Sequence, residues 1–462
     1  MKLILAFLMT IGLSNYSLSQ NNLWQSVSSA FNREVDVMYS DTMLHKLIIA
    51  GQFRLIINGD TIYHITAWDG EKFDSLGLGI NRYPGTLSSN LPNLQAICRY
   101  KDKLYVGGGF DKAGSIKHNY LFNGIFLASW NGTEWDTTGL QVNGFVMDIK
   151  VFNDTMYICG NFTLINNIQI FKVAMFDGNS WHSLEFPIEN AFAAGLQFYH
   201  GDLYVSGYFY DSMGHQHQMM VRHNGVWNFM GQDLNGGADW SDKMVIYNDQ
   251  LILSGYFYQS WGNADNNIMS WDGIQWYPMG GGTNGGDIRD LFLYNNKVYA
   301  IGTFSTAGGV PASKAAVWDG QKWCGFGGTF NNGALAGAFY QDTLYIGGGF
   351  NMVDNDSVFR LAKYTGGNMV DTCGVISNVN EITSELQCSL TPNPATTQLQ
   401  INLPTPTQPQ HLKLITPLGQ TIQQQIFSTN QLQLDISALP VGVYFIEMQN
   451  EKGRAVKKFV KE

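Results

Sequence analysis

The feature that most constrains this chain is a short phrase that recurs along it, seen most plainly as LYIGGGF at residues 344–350. Five of the six intervals between successive copies are 46 to 52 residues, and the other is 57. A fixed period of this length is typical of propellers and solenoids. The seven copies end at Phe53, Phe110, Phe162, Phe209, Phe257, Phe304 and Phe350.

Each period contains four strand-like runs, as the unit that begins at Gly286 shows. GDIRDLFLY (286–294) and KVYAIGTF (297–304) flank the turn Asn295-Asn296, and KAAVW (314–318) and QKWCGF (321–326) flank Asp319-Gly320. Two-residue turns rich in Asn, Asp and Gly indicate hairpins, because type I′ geometry needs positive φ. Four antiparallel strands per unit predict one blade of a β-propeller.

The N-terminal segment supplies an element that the last unit lacks. Six units carry an aromatic residue just after the second turn, but no tryptophan follows the last unit at Tyr364. A spare tryptophan lies in NNLWQSV (21–27). We therefore predict an all-β fold, a seven-bladed β-propeller over 20–366 closed by the N-terminal strand, which would leave no exposed sheet edge. The six aromatic residues are Phe73, Trp135, Trp181, Trp227, Trp276 and Trp323.

The repeat also resembles a known family. A strand, a double glycine, a loop and then Trp at a period of about 50 residues resembles kelch-type propellers, including the propeller domain of galactose oxidases. The double glycine is intact at 107–109 and 347–349, and the other units carry AGQ, CGN, SGY or IGT.

The N-terminus and the composition indicate an exported protein. Met1-Lys2, the apolar run LILAFLMTIGL and Ser17-Leu18-Ser19 predict a secretory signal peptide over residues 1–19. Only 14% of the residues are charged and the net charge is −10, which argues against a nucleic-acid partner. No later stretch reaches the roughly 18 apolar residues of a membrane helix, so we expect no integral membrane segment.

The C-terminal part changes character. Periodicity stops over 367–388, which we interpret as a linker, and short alternating strands over 389–462 predict a small β-sandwich. With a PNP turn at 392–394, this tail resembles the sorting domain of type IX secretion cargo. The resemblance implies recognition by an outer-membrane translocon and a secreted or cell-surface location. The residues that carry the sorting signal are Leu439, Pro440, Gly442, Val443, Tyr444, Lys457 and Lys458.

Motifs for chemistry are sparse. We find no Gly-x-Ser-x-Gly, HExxH or P-loop sequence, and we predict no catalytic motif, metal or cofactor. His215, His217 and His223 could suggest a metal site, but His223 fits a strand position better. Five cysteines do not form a disulfide framework, and whether Cys373 pairs with Cys388 stays open.

Two functions remain open. The units differ most in a loop after Phe110 and in the stretch from Phe73 to Tyr100, and binding residues concentrate on such loops. We predict a secreted binding or adhesion module for glycan or protein, although the insertions could equally be tolerated ones. The alternative is a polysaccharide-acting enzyme with charged residues in the funnel: Glu34, Asp36, Asp239, Asp287 and Arg289. The predicted binding patch comprises Arg82, Tyr83, Asp111, Lys117, His118, Asn119 and Tyr120.

Overall fold

A computed structural model describes residues 23–81, 92–117, 124–230, 234, 236–237, 243–366, 388–403, 410–416, 421–450 and 453–462. The chain divides into two compact units, Met1–Gly374 and Val375–Glu462. The predicted signal peptide and almost all of the predicted linker lie outside the described residues.

The first unit is a β-propeller built from four-stranded antiparallel sheets, of which the described residues form seven. We number them sheets 1 to 7 in chain order, and within each sheet the inner strand comes first. Sheet 1 comprises Val35–Asp41, Lys46–Ile57, Asp60–Trp68 and Phe73–Ser75. Sheet 2 comprises Asn93–Tyr100, Lys103–Phe110, Ile125–Trp130 and Trp135–Asp136. Sheet 3 comprises Val146–Phe152, Thr155–Gly160, Val173–Phe176 and Trp181–Ser183.

The remaining sheets follow the same plan. Sheet 4 comprises Phe192–Tyr199, Asp202–Tyr210, Gln216–His223 and Val226–Phe229. Sheet 5 comprises Lys243–Tyr247, Gln250–Ser254, Ile268–Trp271 and Trp276–Pro278. Sheet 6 comprises Ile288–Tyr294, Lys297–Gly302, Ala315–Trp318 and Trp323–Gly325. Sheet 7 comprises Ala334–Tyr340, Thr343–Gly348 and Leu361–Tyr364, and its outer strand is the N-terminal Trp24–Ser26.

Short strands and one 3-10 helix, Gln259–Trp261, occupy the loops at one end of these sheets. Their pairings are Ile80–Asn81 with Lys112–Ala113 and Ile116–Lys117; Leu164–Ile165 with Ile168–Gln169; Gly236–Gly237 with Tyr256–Phe257; Thr283–Asn284 with Thr306–Ala307 and Val310–Pro311; and Met352–Val353 with Asp356–Ser357.

The repeated phenylalanines fill the spaces between sheets. Each is at most 2% exposed, and each belongs to a different apolar cluster formed by two successive sheets. One of these clusters joins sheet 7 to sheet 1, where Tyr345 and Ala336 pack with Val35 and Phe53. Burial of large aromatic side chains is a major stabilising term in such a core.

The glycine two residues before each of these phenylalanines has a steric reason to recur. A Cβ at this position would overlap a backbone carbonyl oxygen of the adjacent inner strand in six sheets. The phrase therefore needs glycine there because the inner strand approaches too closely for any side chain. The six glycines are Gly51, Gly108, Gly160, Gly207, Gly302 and Gly348.

In five sheets a tryptophan of the outer strand donates a hydrogen bond to the segment that precedes the sheet. The indole Nε1 of Trp323 donates to Met279 O at 2.6 Å, and that of Trp135 donates to Leu76 O at 2.8 Å. Trp24 makes the equivalent bond to Gly327 O at 3.0 Å and pairs with Tyr364. The N-terminal tryptophan therefore occupies in sheet 7 the position that the other tryptophans hold in their own sheets.

The predicted turns are partly right. Left-handed residues lie at the first turn, as at Asn295 and Asn296. The second turn has four residues in most sheets rather than two, since Trp68 pairs with Phe73. The leading Asp accepts bonds from the third and fourth turn residues, as Asp69 Oδ1 does from the N–H groups of Glu71 and Lys72 at 2.9 and 2.8 Å. The side chain thus satisfies backbone donors that a hairpin would pair.

The second unit contains two small sheets around one apolar core. Ser389–Thr391, Gln398–Asn402 and Gln431–Asp435 form the first. Thr421–Phe427, Gln410–Ile415, Gly442–Asn450 and Gly453–Lys461 form the second, in that spatial order. This agrees with the β-sandwich that the sequence predicts.

One cysteine expectation is settled in part. Cys324 is disulfide-bonded, whereas Cys388 carries a thiol rather than a disulfide. Cys373 lies outside the described residues. Burial raises the pKa of the Cys98 thiol to about 11, so this thiol stays protonated at neutral pH.

Candidate functional site

A pocket of about 390 Å³ lies where the inner strands of sheets 1, 2, 5, 6 and 7 meet, and we call it the axial pocket. Its polar wall carries charged groups from three of these sheets. The residues that line it are Glu34, Asp36, Val37, Met38, Gln52, Pro92, Asn93, Leu94, Gln95, Lys243, Arg289, Asp290 and Leu335.

A β-bulge in the inner strand places side chains at this pocket. The register of the inner strand shifts by one residue in six sheets, each time opposite the recurring glycine. A bulge leaves one residue unpaired and re-aims its side chain. Four of the six bulge residues line the pocket: Asp36, Gln95, Arg289 and Leu335. In sheets 3 and 4 the bulge residues are Met147 and Ala194.

The acidic side of the pocket holds two neighbouring carboxyl groups. Burial and, to a lesser degree, the charge of Glu34 raise the pKa of Asp36 to about 7, against a smaller opposing effect of a hydrogen bond from Gln52. With this pKa, the protonated and the ionised forms of Asp36 are both populated near neutral pH. The carboxyl group can therefore donate a hydrogen bond in one form and accept hydrogen bonds in the other.

The basic side of the pocket is organised by Asp287. Its Oδ2 lies 2.7 Å from Arg289 Nη2, and its other oxygen accepts a hydrogen bond from the Thr303 hydroxyl. Lys243 lies on sheet 5 and acts electrostatically on Asp290 of sheet 6. Burial raises the pKa of Asp290, and the positive charge of Lys243 opposes part of that effect. Asp290 also accepts a hydrogen bond from the N–H of Gly337 at 2.9 Å, so it joins sheet 6 to sheet 7.

An aromatic cluster follows the second strand of sheet 5, and we call it the aromatic wall: Tyr256, Tyr258 and Trp261. The Tyr258 and Trp261 ring centroids are 4.8 Å apart at an interplanar angle of 89°, and Tyr256 lies 5.3 and 5.9 Å from them. Tyr256 and Trp261 are 43% and 44% exposed, which is unusual for side chains this large. Tyr258 is close enough to Asp287 for that carboxylate to raise its pKa, after the larger effects of burial and of Tyr256.

Sequence reasoning found part of this site. Of the charged residues proposed for the funnel, Glu34, Asp36 and Arg289 line the axial pocket, Asp287 supports Arg289, and Asp239 lies outside the described residues. Gln95 and Leu335 were missed. A sequence spacing could have located them, because five of the six bulge residues lie 13 positions before the recurring glycine, as Arg289 does before Gly302.

The predicted loop patch is not brought together by the described residues. Asp111 is fully buried, so it does not contribute an exposed side chain to a surface patch as predicted. Lys117 is exposed at the end of the strand Ile116–Lys117. The other members, Arg82, Tyr83, His118, Asn119 and Tyr120, lie outside the described residues, so binding by this patch stays a prediction.

The histidines of residues 213–223 do not converge. His215 Nδ1 and His217 Nε2 lie 3.0 and 3.6 Å from Asp211 Oδ2. His223 is at the opposite end of the strand Gln216–His223 from His217, and its Nδ1 lies 2.7 Å from Asp202 Oδ2 on the neighbouring strand. No group of three or more His, Cys, Asp or Glu suited to a metal ion occurs in the part of the chain that the structure describes.

The sorting residues lie on two paired strands of the second unit. Tyr444 is buried opposite Phe459 and donates its hydroxyl to Pro440 O at 3.0 Å. Lys457 and Lys458 lie opposite Ile446 and Phe445 on the last strand. Gly442 and Val443 open the preceding strand, just after Leu439 and Pro440.

Comparison with solved structures returns similar folds of low identity. PorZ, a surface component of the type IX secretion system of Porphyromonas gingivalis, is 11% identical with a TM-score of 0.35, over 90% of this chain and 69% of its own. A fungal alcohol oxidase is 11% identical with a TM-score of 0.43, over 95% and 98%. The propeller domain of the trilobed protease from Pyrococcus furiosus is 9% identical with a TM-score of 0.41, over 75% and 99%. No curated protein sequence matches the chain.

The C-terminal unit has a recognisable family. Residues 389–462 match the secretion system C-terminal sorting domain. Within the described residues, no helix has the length and apolar character needed to cross a membrane. The chain therefore carries at its C-terminus a domain that marks proteins secreted through the type IX system to the cell surface or beyond.

Proposed function

We propose that this protein is a type IX cargo whose seven sheets are the blades of a closed propeller that binds carbohydrate in its axial pocket. The signal peptide over residues 1–19 would take it to the periplasm, and the translocon would recognise residues 389–462. The recurring glycine and the outer-strand Trp support a kelch-like repeat.

Closure of the ring between sheet 7 and sheet 1 is supported by contacts that repeat from sheet to sheet. The tyrosine hydroxyl at the end of an inner strand donates to the first turn of the next sheet, as Tyr100 does to Asp154 O at 3.0 Å and Tyr199 to Asp249 O at 2.8 Å. Tyr340 of sheet 7 makes the same bond to His45 O of sheet 1 at 2.7 Å. A ring closed in this way has no free edge to recruit another strand.

The observation that supports carbohydrate binding is the combination of the aromatic wall with the polar axial pocket, which are linked through Asp287, because Asp287 acts electrostatically on Tyr258 and pairs with Arg289. Exposed aromatic faces suit the apolar faces of sugar rings, and nearby carboxyl and amide groups suit hydroxyls. Glu34, Asp36, Gln52 and Gln95 supply such groups in the axial pocket. A pocket of about 390 Å³ is within the usual size range of small-molecule sites.

A glycan array with the full chain tests this proposal. We expect binding to at least one class of oligosaccharide, and we expect Trp261→Ala to weaken it about tenfold or more because a sugar-stacking face is lost. Tyr277→Ala is the matched control, since Tyr277 is an exposed aromatic residue on the outer strand of the same sheet. Unchanged binding by Trp261→Ala, or equal loss in both variants, would refute the assignment.

A second candidate is a polysaccharide-acting enzyme, and the specific observation that favours it is the Glu34–Asp36 pair. Two neighbouring carboxyl groups, one with a raised pKa, are the arrangement that glycoside hydrolysis uses. Release of reducing ends from a polysaccharide panel, abolished in Asp36→Asn, would favour catalysis. Binding without turnover would favour the first proposal.

A further inference from the structure

In four sheets the residue just before the third strand adopts a left-handed conformation, and in sheet 1 His64, within the third strand, does the same. The φ angles are 64° at His64, 56° at Lys172, 59° at Asn267, 69° at Lys314 and 64° at Arg360. In sheets 3, 6 and 7 the backbone carbonyl of this residue accepts a hydrogen bond from the recurring glycine, at 2.9 to 3.0 Å. Three equivalent positions therefore carry a cationic side chain beside the recurring phrase.

These three cations are held by uncharged groups. Lys172 Nζ donates to Asn161 Oδ1 at 3.0 Å, Lys314 Nζ to Thr303 O at 2.7 Å, and Arg360 Nη1 to Gly349 O. Among the described residues, none of the three forms an ion pair with a carboxylate within 4 Å. Burial lowers the pKa of Lys314, as expected for a positive charge without a compensating partner.

Two of these cations stand beside the axial pocket. Lys314 is bonded to Thr303, whose hydroxyl holds the Asp287 that pairs with Arg289. Arg360 is bonded to Gly349, where a Cβ would lie 3.2 Å from Glu34 Oε1. We call the basic arc the four cations of sheets 5, 6 and 7 in and beside the pocket: Lys243, Arg289, Lys314 and Arg360.

Charge is therefore divided across the pocket. Glu34 and Asp36 lie at the start of sheet 1, and the basic arc covers sheets 5 to 7, where Asp290 also lines the pocket. Asp287 compensates Arg289 and Asp290 interacts electrostatically with Lys243, whereas Lys314 and Arg360 have no carboxylate within 4 Å among the described residues. A ligand that enters the axial pocket would meet Lys243 and Arg289 in its lining, with Lys314 and Arg360 beside it.

We propose that the basic arc binds the carboxylate groups of an acidic glycan, with its sugar ring on the aromatic wall. This inference rests on the proposed function, because it names the class of carbohydrate that the axial pocket takes. The carboxylates of uronic acid residues would complete the ion pairs that the fold leaves open, and the acidic side would take hydroxyl groups.

The test uses the full chain and a panel of hexasaccharides of galacturonate, mannuronate and glucuronate, each beside its methyl ester. Methyl esters keep the sugar and remove the charge. By titration calorimetry we expect at least one acid to bind about tenfold or more tightly than its ester. We expect this preference to weaken as NaCl rises from 50 to 500 mM, because salt screens exposed charges.

Variants separate a direct role from a structural one. Lys314→Gln and Arg360→Gln should each lose affinity for the acid and leave affinity for the ester unchanged, since glutamine removes the charge and keeps a polar N–H donor. Lys363→Gln is the control, because Lys363 lies on the third strand of sheet 7 and pairs with Gln25. If one of the two substitutions, Lys314→Gln or Arg360→Gln, changes the midpoint of unfolding, the conclusion is drawn from the other variant alone.

The outcomes distinguish the two claims. Equal affinity for acids and esters would overturn the acidic-glycan inference and leave carbohydrate binding standing. Preference for acids that survives both substitutions would overturn the basic arc as the site. No binding to any member of the panel would overturn the inference, and the glycan array would then decide the proposed function.

Discussion

Substitution of Gly348 by alanine would test why the phrase recurs. A Cβ there would overlap Gly333 O and lie 2.8 Å from Ala334 Cα, where ordinary contacts begin at 3.4 Å. The inner strand of sheet 7 must therefore move by at least about 0.6 Å in a close-packed interior. Because both obstacles are backbone atoms, no side chain can rotate away. We expect the free energy of unfolding to fall by about 1 to 3 kcal/mol.

Gly349→Ala is the matched control within the same phrase. A Cβ at Gly349 would meet only side-chain atoms, Glu34 Oε1 at 3.2 Å and Asn332 Nδ2 at 3.3 Å. Urea unfolding followed by tryptophan fluorescence should show a lower midpoint for Gly348→Ala at unchanged slope and a midpoint near wild type for Gly349→Ala. Equal midpoints for the two variants would refute the steric reasoning.

Two further perturbations have directions fixed by the structure. Trp323→Phe removes the indole donor to Met279 O at 2.6 Å and leaves that carbonyl only its longer bond from the Gly282 N–H at 3.3 Å, so the same urea assay should show a loss of about 0.5 to 1.5 kcal/mol. Trp261→Phe, at an exposed ring, should show none. Because the pKa of Asp36 is raised to about 7, its ionisation costs stability increasingly as pH rises from about 4 to 7. Asp36→Asn should therefore exceed wild type by about 1 to 4 kcal/mol at pH 8 and match it near pH 4, and an advantage equal at both pH values would contradict the assignment.

The repeat made the architecture predictable. Strands, turns and packing in one unit are reused in the others, so the seven phenylalanines and the four strands of each unit could be located from spacing alone. Trp24 could be assigned to the last sheet because every other sheet already had its own aromatic residue. The length of the second turn was missed because an Asp that caps two backbone N–H groups looks, in sequence, like the start of a two-residue hairpin.

The site was harder to predict because it depends on what the repeat does not conserve. Arg289, Gln95 and Leu335 share a bulge position but no chemistry, so no residue pattern marks them. Left-handed Lys314 and Arg360 depend on a backbone conformation that sequence does not show for lysine or arginine. We selected the predicted binding patch from the longest loops, and loop length does not show which side chains are exposed. Asp111 was therefore included although it is buried.

The most direct measurement is a crystal structure of the chain with the tightest-binding acidic hexasaccharide at saturating concentration. We expect a sugar ring against Tyr256, Tyr258 or Trp261, with carboxylate oxygens within 3.5 Å of at least one of Lys243, Lys314 and Arg360. Ligand bound elsewhere on the propeller, with an empty axial pocket, would contradict this expectation.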